Sequence, residues 1–187
     1  MKYLIIAVLL LLFNGIVRAQ VTESPDNWNP YRHEAELKVL AVSLVNKFIA
    51  RVKALTECPI YNISGTADLF EPDAKIETIS VNTYDIHTYL WWEYLQKVSG
   101  LKCSPDAIYS AMSFMFDPVS KDSATVECVG TSCVISVPVI FQFKGSGPDH
   151  GYFDVTRKTI YTHFQRIGNR YVGKINYVKV DMVYKHL

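Results

Sequence analysis

The sequence predicts an α+β fold in which a long N-terminal helix and a second helix pack on a strongly curved antiparallel sheet, and three patterns predict it. From Cys133 to Lys144, Ile135, Val137, Val139, Phe141 and Phe143 fall on one face, with Val134, Ser136, Pro138, Ile140, Gln142 and Lys144 on the other. That period of two marks a half-buried strand. Two more long strands follow, Tyr152 to Gln165 and Tyr171 to Val183, joined at Gly168-Asn169. Upstream, Leu37, Leu40, Ala41, Leu44, Val45, Phe48, Val52 and Leu55 recur at spacings of three and four, the apolar stripe of a helix that covers the sheet.

The chain opens with Lys2, an apolar run from Tyr3 to Phe13, and Val17-Arg18-Ala19, so residues 1–19 read as a secretory signal peptide. The run falls short of the ~20 apolar residues a spanning helix needs. Residues 20–29 form a polar, extended lead-in, and 30–187 one domain. Asn29 and Pro30 suit the start of the first helix, which the stripe carries to Thr56 over roughly 40 Å. Thr66 to Phe70 reads as a helical turn, Glu71-Pro72-Asp73 as a break and Lys75 to Val81 as a short strand. Asp85 to Ser99 reads as the second helix, rich in aromatics and ended by Gly100. Strands at Ala111–Asp117 and Ala124–Val129 then begin a five-stranded meander.

The compartment follows from the leader. Without it 17 basic residues stand against 18 acidic ones, too balanced to offer nucleic acid a basic stripe. No nucleic-acid or membrane partner is expected. Four cysteines in an exported chain read as two disulfides. Cys128 and Cys133 flank Val129-Gly130-Thr131-Ser132, a hairpin loop that would set them opposite one another, which leaves Cys58 for Cys103. Their spacings match no zinc site, and no cofactor motif occurs. Asn62-Ile63-Ser64 is an N-glycosylation acceptor, with Asn62 the modified residue.

The order of elements, with Leu69-Phe70-Glu71-Pro72-Asp73-Ala74 after the first helix and Thr156-Arg157-Lys158-Thr159-Ile160 leading to the Gly168-Asn169 hairpin, resembles the nuclear-transport-factor-2-like superfamily from about Pro30 to Val183. The resemblance implies a cone-shaped domain with a pocket between helix and sheet, and pairing into homodimers through the outer sheet face. Its members range from binding proteins to isomerases and dehydratases, so function rests with the site. Here no acid and base converge. Asp73 sits in a turn, Asp154 alternates with Phe153 and Val155 and should face solvent, and Asp85 and His87 do not share a helix face. Gln96, Val98 and Gly100 also match the QxVxG hairpin of cystatin-type protease inhibitors, although that motif joins strands and this one ends a helix.

The expectation is therefore a secreted, non-enzymatic binding or interaction domain. Its partner is a protein or a small apolar ligand held by Leu44, Phe48, Trp91, Phe141, Phe143 and Phe164. The alternative is a small isomerase or dehydratase using His163 or Asp73, and a cystatin-like inhibitor comes third. One further expectation concerns the strand from Tyr152. Phe153 and Val155 are out of phase with Ile160 and Phe164, so a β-bulge at Arg157-Lys158 would bring all four toward the helix and turn Tyr161, His163 and Gln165 away.

Overall fold

A computed structural model describes residues 29–58, 64–80, 83–148 and 151–186. The leader at 1–19, nearly all of the lead-in and Asn62 lie outside the described residues. A 3-10 turn over Pro30–His33 leads into α1, Glu34–Ala54. The helix thus begins four residues beyond the Pro30 start that the sequence suggests. Its stripe is the expected one: Leu37, Ala41, Leu44, Val45, Phe48, Ile49 and Val52 are buried. No described helix is long and apolar enough to cross a membrane.

A second 3-10 turn, Ser64–Leu69, delivers the chain into β1, Phe70–Ile79, followed by β2, Ile86–Leu90, and α2, Trp91–Cys103. Two corrections belong here. The strand runs through Glu71-Pro72-Asp73, and its pairing slips between Phe70 and Lys75 to accommodate them. The first turns of the expected second helix are instead strand β2, where Ile86, Thr88 and Tyr89 pair with Ile79, Glu77 and Ile76. Ile86, Thr88 and Tyr89 are β-branched or aromatic residues that favour a strand, and β1 offers them an open edge. Leu90 is extended, and its N–H donates to Glu93 Oε2 at 3.0 Å, which sets the helix start at Trp91. Gly100 lies inside α2 rather than after it.

The remaining strands are β3 (Ala111–Phe116), β4 (Thr125–Val129), β5 (Ser132–Ser146), β6 (Gly151–Ile167) and β7 (Arg170–His186). The sheet order is β2-β1-β7-β6-β5-β3, with β4 also on β5. Strands β3 and β4 follow one another along the same edge of β5, pairing with residues 141–146 and 132–136 respectively, so the five strands are not a simple meander. The sheet is mixed rather than antiparallel, because β1 runs parallel to β7. It is curved and not closed. Gly168, at φ 61°, occupies the left-handed position of the two-residue turn between β6 and β7.

Both helices pack on the inner face of the sheet. Phe48 meets Phe70 edge-on at 5.6 Å, and Phe70 stacks on Trp91 at 5.1 Å, which ties α1, β1 and α2 into one core. The cysteines pair as Cys58–Cys103 and Cys128–Cys133. The first joins the C-terminal ends of the two helices, where Lys102 Nζ also donates to Thr56 O at 2.5 Å. The second bridges directly opposed residues of the β4–β5 hairpin.

The bulge expected in β6 is resolved differently. Residues 151–165 of β6 pair with β5 in an unbroken register. The irregularities all lie against β7, which carries an extra residue at Asn176, Asp181 and Tyr184. One of them does fall at Arg157/Lys158, but it kinks the partner strand and leaves the alternation of β6 intact. Ile160 and Phe164 face inward, and Tyr161, His163 and Gln165 face outward, as expected. Phe153 and Val155 stay on the outer face instead of turning in. Their places inside are taken by Asp154, Thr156 and Lys158.

Candidate functional site

Inward-facing polar residues on β6, Asp154, Thr156 and Lys158, place polar groups against a largely apolar interior. Between α2 and the sheet lies a cavity of about 130 Å³. Tyr94, Val98 and Leu101 of α2 form one wall, Phe114, Phe141 and Phe143 of β3 and β5 another, and Asp154, Thr156 and Lys158 of β6 the floor. Phe114 lies 5.0 Å from Phe143, and Tyr109 meets Phe143 edge-on at 5.7 Å. That last contact depends on Gly145, since a Cβ there would stand 2.6 Å from the Tyr109 ring.

Lys158 is 6% exposed, an uncommon position for a lysine. Its ammonium donates to the main-chain oxygen of Glu77 at 3.1 Å and lies 5.1 Å from the centre of the Phe141 ring and 5.8 Å from that of Tyr94. Burial draws its pKa from the ordinary 10.5 down to about 8, against the pull of Asp154 and Glu77, which favour the charged form. The Asp154 carboxylate accepts from the Tyr152 hydroxyl at 2.9 Å. Burial, with the Asp154 charge adding to it, pushes the Tyr94 and Tyr152 phenols well up, so both hydroxyls stay protonated over the physiological range.

Of the six residues the sequence suggests for a pocket, Phe141 and Phe143 line this cavity, whereas Leu44, Phe48, Trp91 and Phe164 are packed into the hydrophobic core. The outward placement expected for Asp154 is overturned. Lys158, Thr156 and Tyr94 are functional candidates that sequence reasoning missed. The signal for Lys158 was its even parity with Ile160 and Phe164, which an unbroken strand carries inward.

His163 and Asp73 lie elsewhere. Asp73 is exposed on β1. His163 is half-buried on the outer sheet face, between Glu71 Oε1 at 2.6 Å from Nδ1 and Ser132 Oγ at 2.7 Å from Nε2. With the imidazole neutral, Nδ1–H must donate to the carboxylate, so Nε2 accepts from the serine hydroxyl. Beside it a groove of about 240 Å³ runs between Val134, Tyr161, Asn176, Tyr177 and Lys179. Asn176 Oδ1 is buried there with no hydrogen-bond partner among the described residues. The described residues hold no group of three or more His, Cys, Asp or Glu side chains that could bind a metal ion.

No protein-family model and no curated protein matches the sequence. Several solved structures are similar, among them the following three. A nuclear-transport-factor-2-like superfamily protein from Salmonella enterica is 12% identical, covers 81% of this chain and 94% of its own, and superposes with a TM-score of 0.49. A candidate scytalone dehydratase from Novosphingobium aromaticivorans is 8% identical over 80% of this chain and 87% of its own, with a TM-score of 0.46. A protein from Kribbella flavida is 12% identical over 77% of this chain and 90% of its own, with a TM-score of 0.45. The arrangement of this chain itself is two helices on a mixed, curved and open sheet.

Proposed function

We propose that this chain is an exported binding domain whose cavity takes a small, mainly apolar ligand with one polar acceptor turned toward Lys158. The observation that carries the reading is a cavity of about 130 Å³ with aromatic walls and a buried ammonium on its floor. A cavity of about 150 Å³ lined by apolar side chains accommodates one benzene ring, and full drug-sized ligands need about 300 Å³ or more. The occupant is thus a ring or short branched chain, or the end of a longer molecule. Lys158 has one donor on Glu77 O, and a ligand acceptor would take another. Export agrees with the leader-like N-terminus and with two disulfides.

Native mass spectrometry of protein secreted from eukaryotic cells tests this reading and reports glycosylation of Asn62 at the same time. A small molecule should accompany the wild type and be lost from Val98→Phe, which fills the cavity. A wild type that carries nothing, and that benzyl alcohol does not protect against heat, would sink the proposal.

A second reading is favoured by the hydrogen bond from Tyr152 to Asp154 at 2.9 Å. A carboxylate and a phenol on the walls of one cavity are the pairing a proton-transfer isomerase or dehydratase requires, with Asp154 as base, held by Tyr152, and Tyr94 as donor to a developing oxyanion. Solvent-deuterium incorporation into bound carbonyl compounds, abolished by Asp154→Asn, separates this reading from simple binding.

A further inference from the structure

Lys158 supplies the only amine among the residues that line the cavity. We propose that Lys158 captures a small apolar aldehyde or ketone as an imine, so that the cavity holds its ligand by a reversible covalent bond. This rests on the reading of the cavity as a ligand site and names the ligand's reactive group.

The geometry meets the three needs of imine formation. The first is a positioned nucleophile: the Lys158 nitrogen is fixed by Glu77 O at 3.1 Å and flanked by the rings of Phe141 and Tyr94, both of which border the cavity. A carbonyl carbon entering along those aromatic walls meets the amine at the floor. The second is an amine that gives up its proton more readily than an ordinary lysine. Desolvation by apolar walls favours the neutral form, as the fall to about 8 expresses. The third is an acid–base group to shuttle protons, and Asp154, which accepts from the Tyr152 hydroxyl behind it, stands on the same floor.

The step balances without a further reagent. The ammonium gives one proton to solvent or Asp154, and the neutral nitrogen attacks the carbonyl carbon to form a C–N bond. The carbonyl oxygen takes up protons equal to the two that nitrogen still carries and leaves as water, and a C=N bond remains. Hydrolysis is the same sequence reversed. The dimensions select the class of ligand: about 130 Å³ holds one ring or an equivalent branched chain, not a sugar.

Benzaldehyde is the probe, with sodium cyanoborohydride to reduce the imine to a stable secondary amine and benzyl alcohol as the control that lacks a carbonyl. The full secreted chain should gain one benzyl group, mapped by peptide analysis to Lys158. Its initial rate should rise about fiftyfold from pH 6 to pH 8, as the share of neutral amine does, and fall at least fivefold when benzyl alcohol competes. Lys158→Met should lose the adduct while melting cooperatively. Should that variant not fold, Lys158→Arg keeps the charge but forms no imine and serves in its place. Labelling spread over exposed lysines, unchanged by benzyl alcohol and equal in the variants, overturns the proposal. In that event heat stabilisation of the wild type by benzyl alcohol, absent from Val98→Phe, shows that the cavity reading stands and only the imine fails. No stabilisation by either compound removes both.

Discussion

Lys158 and His163 belong to the same strand but face opposite sides of the sheet, and their surroundings differ in kind. His163 lies half in solvent with both ring nitrogens engaged, by Glu71 and Ser132. Lys158 is buried, held by one carbonyl and two ring faces with the Asp154 and Glu77 carboxylates acting on it from further off, and it stands beside open space. A polar group inside a protein costs free energy when it lacks partners, and that cost is greatest for a charge. The outer cluster resembles a structural clasp across β1, β5 and β6, whereas the inner lysine is an expense the fold bears next to a cavity, the pattern of a functional group.

The largest effect should come from unfastening the helices that roof the inner site. Cys58–Cys103 closes a separation of 45 residues and Cys128–Cys133 one of 5. Loop-closure entropy puts roughly 4 kcal/mol on the first and roughly 2 kcal/mol on the second. Cys58→Ala/Cys103→Ala should therefore lower unfolding stability about twice as much as Cys128→Ala/Cys133→Ala in urea titrations. It should also weaken binding of benzyl alcohol, because α2 carries Tyr94, Val98 and Leu101. Equal losses from the two variants would show that the helix clasp adds nothing beyond the local hairpin.

Next comes the charge itself. Between about pH 8 and 10.5 the unfolded chain keeps a proton on Lys158 that the folded chain has released. Stability must therefore rise with pH across that window, while below pH 8 the penalty for burying the charge is fully present. The linkage is on the order of 3 kcal/mol. The advantage of Lys158→Met over the wild type should be greatest at pH 7 and shrink by that amount toward pH 10.5. Tyr177 acts in the opposite sense: its hydrogen bond to Glu77, with burial, lifts it to about 12, so its contribution falls between pH 10 and 12. A difference between the two proteins that does not change with pH would show Lys158 to be solvated.

The same contrast explains what could be read from residues alone. The α1 stripe, the alternation of β5, the Cys128–Cys133 hairpin and the turn at Gly168 are local patterns, each visible in a short stretch of chain, and Cys58–Cys103 follows once the hairpin pair is assigned. The interior half of β6 is not. Phe153 and Val155 are apolar, and the assumption that apolar residues turn inward required a bulge to bring them into phase with Ile160. The strand keeps its phase instead, leaving Phe153 and Val155 on the outer face and placing Lys158 inside. Nor could the parallel pairing of β1 with β7 be read, because it joins strands about a hundred residues apart with no shared motif. Lys158 was legible only to a reading that trusted parity above hydropathy.

The smallest effect should come from the outer face. Ser132→Ala removes one hydroxyl from His163 Nε2 and leaves the bond between Nδ1 and Glu71 in place. A net hydrogen bond contributes about 1 kcal/mol, and here water can replace the serine because the imidazole is 34% exposed. The loss should thus be about 0.5 kcal/mol. Glu71→Gln should cost more, about 1 kcal/mol, since it exchanges a charge-assisted bond for a neutral one and removes the carboxylate that orients the ring. Neither change reaches the cavity, because the sheet itself separates the clusters, so benzyl alcohol affinity and the labelling rate of Lys158 should match the wild type. Calorimetric titration of Ser132→Ala with benzyl alcohol checks this. A severalfold drop in affinity would mean that β6 transmits strain between its faces, and the two clusters would then have to be treated as one coupled site.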